Sequence, residues 1–342
     1  MSKAIGIWDH VERRADQPLG ELYEGRCRFL ELADRGPFWC YHVAEHHFTP
    51  LGMAPSPSVY LSALIQRTER IRLGSMVHLF PLYHPLRLIE EICMLDHMSG
   101  GRLELGFGKG ISPFELGHYG KSFVNSRAEM EEVLEILLKG LRSETLEHDG
   151  RYYQFPAVPM ELRPLQQPNP PLWYGANSER SLQYAAQRGF NMITAGPNQA
   201  LTTQAAAYRG IRQQAMADGS LDAQPREPRI GAFRMAHVAE SDAAAERKAR
   251  EAYPVFYQSL QKLWLDNGTV ATQFPPDYDQ LAAYDTFIVG SPERARALVE
   301  QFFAESGCDY LLIEPVWGSI SQEESMESLG LFGEAVADLV TT

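Results

Sequence analysis

The sequence predicts a (β/α)8 barrel. Three observations predict it: eight short apolar runs spaced through the chain, a helical pattern after most of them, and a length of 342 residues. A bare barrel needs about 250 residues, so nearly a hundred remain for insertions.

The first run is AIGIW. A loop follows, and then Leu22, Leu30 and Leu32 recur at helical spacing between Leu19 and Arg35. PFWCYHVAEH repeats the strand, and Ser58 to Arg70 the helix. IRLGSMVHLF comes third; its helix has Pro85 in the first turn, with Leu88, Ile89, Ile92 and Leu95 on one face. RLELGFG is fourth, and Met130, Val133, Leu134, Leu137, Leu138 and Leu141 form the stripe of its helix. PPLWYGAN, FNMITAG and RIGAFRMAHVA open three further units. YLLIEPV is the eighth strand, followed by a helix from Glu323 to about Val340. The insertions fall at about 143–170, rich in proline, and about 260–289, which lacks a sustained period; long loops of this kind often act as lids. Ser291 caps a helix with Pro292 in its first turn, and Gly307 closes it. A doubly wound sheet would want a glycine fingerprint after the first strand, and IWDHVERR has none. The whole chain, 1–342, therefore reads as one barrel domain.

Composition narrows the function. The chain is 44% apolar and carries 31 Lys plus Arg against 44 Asp plus Glu, a net charge of −13. That field repels nucleic acid and anionic membranes, so a small anion needs a local trap. No run approaches the roughly 18 apolar residues of a spanning helix, and no leader pattern opens the chain, which predicts a soluble cytoplasmic protein. Cys27, Cys40, Cys93 and Cys308 are far apart and lack a CxxC, which fits buried thiols better than disulfides or zinc.

In a barrel the chemistry lies at the C-terminal ends of the strands. Those ends are Trp8 and Asp9; Glu45, His46 and His47; Met76 to His78; Gly108 and Lys109; Asn177 and Ser178; Gly196; His237; and Glu314 and Trp317. Successive strand residues face opposite ways, so His46 and His47 cannot both meet one metal while the strand continues, and HExxH is absent. A metal site is disfavoured. What stays open is a hydrogen-bonded polar strand end or one histidine working at the site. In GFGKG, Gly106, Gly108 and Gly110 allow close approach of a flat or phosphorylated ligand, and Lys109 supplies positive charge. Ser178 caps the helix that follows GANSERS, so Lys109, Ser178 and Ser181 are placed to hold one phosphate.

AEHHF, PLYHPLRLIEEICMLDHMSGGRLELGFGKG, FVNSRAEMEEVLEILLKG and GANSERSLQYAAQRG resemble, in that order, the bacterial luciferase-like flavin monooxygenases. The resemblance covers about residues 4–320 and is strongest from 44 to 140. It implies a barrel that receives reduced FMN from a separate flavin reductase and inserts one oxygen atom of O2 into a small apolar substrate through a C4a-peroxyflavin. It also implies that His46 is the catalytic histidine and His84 a second pocket histidine; Glu45, next to His46, is expected to serve the catalytic group by orienting a neighbour rather than acting directly. Lys109, Asn177, Ser178 and Ser181 match positions around the FMN phosphate. A non-proline cis peptide near Met76 and Val77 would shape a shelf under the flavin, beside Gly108. Departures bear on light emission: Gly108 stands where the light-emitting enzymes have a cysteine, and Asn177 where they have an acid. Gly108 is expected to open room at the ring, and Trp8, Phe107, Phe233 and Trp317 to line an apolar chamber. Alternatives on the same barrel are a deazaflavin-dependent oxidoreductase and a non-catalytic flavin-binding protein. The apolar excess of 84–99 predicts a homodimer.

Overall fold

A computed structural model describes residues 2–221, 224–272 and 275–341. In chain order it contains β1 (Ala4–Asp9), α1 (Leu19–Arg35), β2 (Cys40–Val43), α2 (Pro57–Ile65), β3 (Arg72–Leu79), α3 (Pro85–Met98), β4 (Leu103–Gly108), α4 (Pro113–His118) and α5 (Ser126–Arg142). Then come β5 (Thr145–Asp149), β6 (Gln154–Pro159), β7 (Leu172–Gly175), α6 (Glu179–Arg188), β8 (Asn191–Thr194), α7 (Asn198–Ala217) and β9 (Ile230–Val238). The chain ends with α8 (Asp242–Asp266), α9 (Tyr278–Ala282), β10 (Phe287–Gly290), α10 (Pro292–Glu305), β11 (Tyr310–Glu314) and α11 (Gln322–Val336).

Each of the eight apolar runs becomes a strand. They close as a parallel barrel in the order β1–β2–β3–β4–β7–β8–β9–β11 and back to β1. Both faces of such strands are covered, which is why they read as near-continuous apolar runs. Ile5, Ile7, Tyr41, Val43, Leu103 and Leu105 point outward into the layer under the helices. Met76, Trp173, Ile193, Tyr310 and Leu312 fill the inside. The N-terminal end is plugged: Glu104 is fully buried, accepts from Trp173 Nε1 at 2.6 Å and pairs with Arg72 and Arg226. Burial alone would raise its pKa, but the two guanidiniums outweigh burial and hold it below the usual range. Only the C-terminal end is left for a site.

Three segments differ from the sequence-based expectation. Helix α2 stops at Ile65, not Arg70, because the Asp34 carboxylate takes the backbone N–H groups of Glu69, Arg70 and Ile71 at 2.9, 3.0 and 2.6 Å. Those donors are thereby lost to a helical ladder. Within 143–170 lies an antiparallel hairpin, β5–β6, whose turn is tied to α5 by Glu132 accepting from the Tyr152 and Tyr153 N–H groups at 3.0 and 2.9 Å. Within 260–289, α8 continues to Asp266, and β10 then adds a ninth parallel strand along the second half of β9. Residues 273 and 274 of that stretch lie outside the described ones. The Ser291 cap is present, its Oγ accepting from Arg294 N at 3.3 Å, and Gly307 ends that unit at φ +68°. Among the described residues no helix is long and apolar enough to cross a membrane.

Candidate active site

Strand β2 ends at Val43, so Glu45, His46 and His47 sit on the loop that leaves it. Their side chains nevertheless part. His47 is buried and held at both nitrogens, Nε2 by Glu45 Oε1 and Nδ1 by the Tyr119 hydroxyl, each at 3.0 Å. The other Glu45 oxygen accepts from Leu79 N at 2.8 Å and Tyr83 Oη at 3.1 Å. Burial raises the Glu45 pKa, against the pull of those donors. Glu45 therefore ties the end of β2 to the end of β3, which is a positioning task.

His46 is the partly exposed member, with 15% of its side chain accessible. Its Nδ1 lies 3.0 Å from Glu115 Oε1, at the start of α4, and the same oxygen accepts from His47 N at 3.0 Å. Burial pushes Glu115 up, but the hydrogen bond and charge of His46 and the His47 N–H outweigh it and leave the carboxyl below its usual range. An ionised carboxylate only accepts, so the proton of a neutral His46 sits on Nδ1 and Nε2 faces the site with its lone pair.

His10 stacks on His46, ring centroids 5.4 Å apart and planes 24° apart. It follows β1 directly, and sequence reasoning stopped one residue short of it, at Trp8 and Asp9. Its Nδ1 contacts Glu314 Oε1, at the end of β11. His10 also packs on Trp8 at 4.4 Å, and Trp8 Nε1 donates to Met76 O at 2.9 Å. The Met76–Val77 peptide is cis, where the resemblance places it. Trp8, His10 and His46 thus form a line from the β3 shelf to α4.

The shelf corrects the reading of two glycines. At Gly106 a Cβ would lie 2.2 Å from the Ser75 carbonyl oxygen, and at Gly108 it would lie 2.7 Å from Val77 Cγ2. The close approach these glycines permit is therefore by β3, and the room at Gly108 is taken by Val77. Gly110, at φ +83°, serves the turn. His84 stands at the N-cap position of α3 on the rim, exposed, with no capping hydrogen bond from its side chain and its ring edge-on to Tyr153 at 5.7 Å. It is not brought to the His10–His46 pair.

Across the mouth, Lys109 is half-buried, its Nζ 4.1 Å from the Phe123 ring centroid and donating to Gly110 O at 3.1 Å. Burial and then the charge of Arg127 lower its pKa. The Tyr174 hydroxyl, whose pKa burial raises, is pulled the other way by Arg127 in the first turn of α5 and Arg180 in the first turn of α6. Arg127 thus links Lys109 on one side with Tyr174 and Arg180 on the other, three cations in a chain of net charge −13. Sequence reasoning missed both arginines. The available signal was a cation in a first helical turn, where the dipole disfavours it. Beside them, Ser178 and Ser181 make a reciprocal cap on α6, Ser178 N donating to Ser181 Oγ at 2.9 Å. Asn177 is exposed, and its Oδ1 accepts from Thr194 Oγ1 at 3.5 Å, leaving the amide N–H groups to donate.

Phe107 does not line the chamber. It points outward, packed on Phe80, Tyr174 and Phe190 at 5.2, 5.2 and 5.3 Å. Phe233 does meet Trp8, edge-on at 5.0 Å. Trp317 belongs to a second cluster with Met235, Tyr253 and Phe256 on α8, and Phe256 reaches His10 at 5.9 Å. The rim carries exposed Phe48, Ile111 and Tyr119, with Phe48 held at φ +61° against His118 and Tyr119.

A sequence profile described as luciferase-like monooxygenase matches residues 5–310. The uncharacterised protein y4wF of Sinorhizobium fredii is 35% identical over 327 residues, covering 94% of this chain and 93% of that one. The oxygenase component of the flavin-dependent trigonelline monooxygenase of Acinetobacter baylyi is 32% identical over 191 residues, 55% of this chain and 53% of that protein. Among solved structures, the monooxygenase RslO1 of Streptomyces bottropensis superposes with a TM-score of 0.85 at 26% identity, covering 98% of this chain and 99% of that one.

Proposed function

The chain belongs to the luciferase-like monooxygenase family, and from that premise we propose how its residues divide the work of an FMN-dependent monooxygenase. When bound, reduced FMN supplies the electrons that activate dioxygen. The residues present fit that cofactor: Lys109, Arg127, Asn177 and Ser178 offer charge and donors to a phosphate from neighbouring strand ends, and the Met76–Val77 segment with Trp8 offers a flat apolar seat. Ser181, spent on its cap, supports Ser178 from beneath.

His46 holds or moves a proton at Nε2 beside the reacting oxygen, while the surrounding aromatic residues keep water out. The observation that carries this reading is the His46 Nδ1–Glu115 contact, which leaves Nε2 free for chemistry. Glu45 and His47 hold the loop in register. The chamber of Trp8, Phe233 and Phe256 suits a small apolar or planar substrate. The reducing partner is a separate flavin reductase, in keeping with a relative that is itself an oxygenase component. The test mixes purified protein with photoreduced FMN, then oxygen, over a panel of aldehydes, ketones, arenes and N-methylpyridinium carboxylates. Oxygenated product from one member supports the reading; oxygen consumption ending only in hydrogen peroxide across the panel counts against it.

A further inference from the structure

Two histidine–carboxylate couples stand side by side at the mouth of the barrel, and they are built differently. Glu115 has two donors on one oxygen and is the more accessible carboxylate. Glu314 is fully buried, with one oxygen against His10 Nδ1 and Oε2 without any partner among the described residues. The other charges facing that pair are Asp9 with Arg26, Glu12 and His46. Asp9, on β1, takes Arg26 Nε from α1 at 3.0 Å, the Tyr41 hydroxyl at 2.8 Å and Val11 N at 2.6 Å. Glu12 accepts from Gly318 N at 2.6 Å through Oε2, its Oε1 having no partner among the described residues, and His46 faces Glu115. The charges of His46 and Arg26 reach Glu314, but each is paired elsewhere, His46 with Glu115 and Arg26 with Asp9, and no cation contacts Glu314 among the described residues.

A buried carboxyl beside Asp9, with no counter-ion of its own in contact, is held as the neutral acid. Burial, and next the Asp9 charge, raise the Glu314 pKa well above its ordinary value against the pull of Arg26, while burial lowers that of His10 to about 3. The acid O–H must then donate to His10 Nδ1, so the ring carries its own proton on Nε2. That nitrogen has no protein partner among the described residues. The stacked rings therefore present opposite functions: a lone pair on His46 and an N–H on His10.

We propose that His10, backed by Glu314, is the proton donor of this site, complementary to His46; this rests on the monooxygenase reading. The balance is substrate + O2 + FMNH− + H+ → oxygenated substrate + H2O + FMN. One oxygen atom enters the substrate, the other leaves as water, and the added proton is the one assigned here. It passes from His10 Nε2 to the departing oxygen as the Glu314 proton moves to Nδ1, leaving Glu314 ionised until solvent restores it. Without substrate, release of hydrogen peroxide (O2 + FMNH− + H+ → H2O2 + FMN) draws on the same proton.

The test has two arms. Nitrogen-15 spectra of FMN-free wild-type protein should show His10 neutral, protonated at Nε2 and unchanged between pH 8 and about 5; protonation of His10 above pH 6, or a proton resident on Nδ1, overturns the pairing. In the second arm, reduced FMN and oxygen are mixed without substrate. Glu314→Gln keeps a hydrogen bond to Nδ1 but has no proton to give, so peroxide release should slow by about 10²-fold, as in His10→Phe. Release at the wild-type rate in Glu314→Gln overturns the relay. Should wild-type protein leave the oxidation of reduced FMN by oxygen at the rate of free reduced FMN, the monooxygenase reading itself falls, and the spectra still decide the state of His10.

Discussion

Among single residues, the clearest division of labour is between the adjacent histidines. His47 is enclosed by Glu45 and Tyr119, and His46 opens to the site. His47→Ala leaves Glu45 without its ring partner inside the protein, and an orphaned buried polar group costs on the order of 1–3 kcal/mol. Chemical denaturation should show that loss, with FMN affinity little changed at the remaining folded fraction. The mirror case is Lys109→Ala: it should weaken FMN binding by about 1.5–3 kcal/mol, the range for a hydrogen bond to a charged group, and leave riboflavin affinity nearly unchanged. Equal losses for both ligands would move the lysine away from the phosphate. Single-residue legibility was uneven for physical reasons. The His46 and Lys109 positions follow from strand ends, whereas His10 lies one residue beyond a boundary that sequence patterns place only to within a few residues. Arg127 and Arg180 come to the site from helices.

At the scale of elements, β3 shows what burial does to a titrating group. His78, next to its C-terminal end, is bonded to Ser75 Oγ at 2.6 Å, and burial lowers its pKa to about 3. Its unfolded value is near 6.5, so between these limits the unfolded chain binds the extra proton and the folded one does not. Stability from this group is therefore full above pH 6.5 and falls as the pH drops toward 3. At pH 5 the loss is on the order of 2 kcal/mol. His78→Asn should be destabilised relative to wild type at pH 7 and recover most of that deficit at pH 5 in urea titrations; a deficit that stays constant with pH would show that His78 ionises freely. Strands were the legible elements because parallel barrel strands are apolar on both faces. The same property hid their phase: nothing in RLELGFG says that Phe107 points outward. The end of α2 was hidden too, since it is set by Asp34, more than thirty residues away.

For the whole molecule, the barrel's N-terminal end is closed by the Glu104 cluster, so FMN, oxygen and substrate share the other end. Assembly is read from the outer surface. Ile92 and Leu95 of α3 are buried, while Met94 and Met98 stand 53% and 43% exposed, and Val59 of α2 is 71% exposed. Pairing through α2 and α3 would cover them, and we expect a homodimer with an isologous interface. Sedimentation at micromolar concentration checks this; a monomer throughout would contradict it, and Met94→Glu with Met98→Glu should dissociate a dimer without unfolding the barrel. The central claim, that His46 directs reduced-FMN oxygen chemistry toward substrate, is tested most directly by following 18O2 into product with wild-type protein and His46→Ala. Wild type should place one labelled atom in each product molecule, and His46→Ala, still folded and binding FMN, should lose product by about 10²-fold while hydrogen peroxide rises to match. Unchanged labelled product in His46→Ala would contradict it.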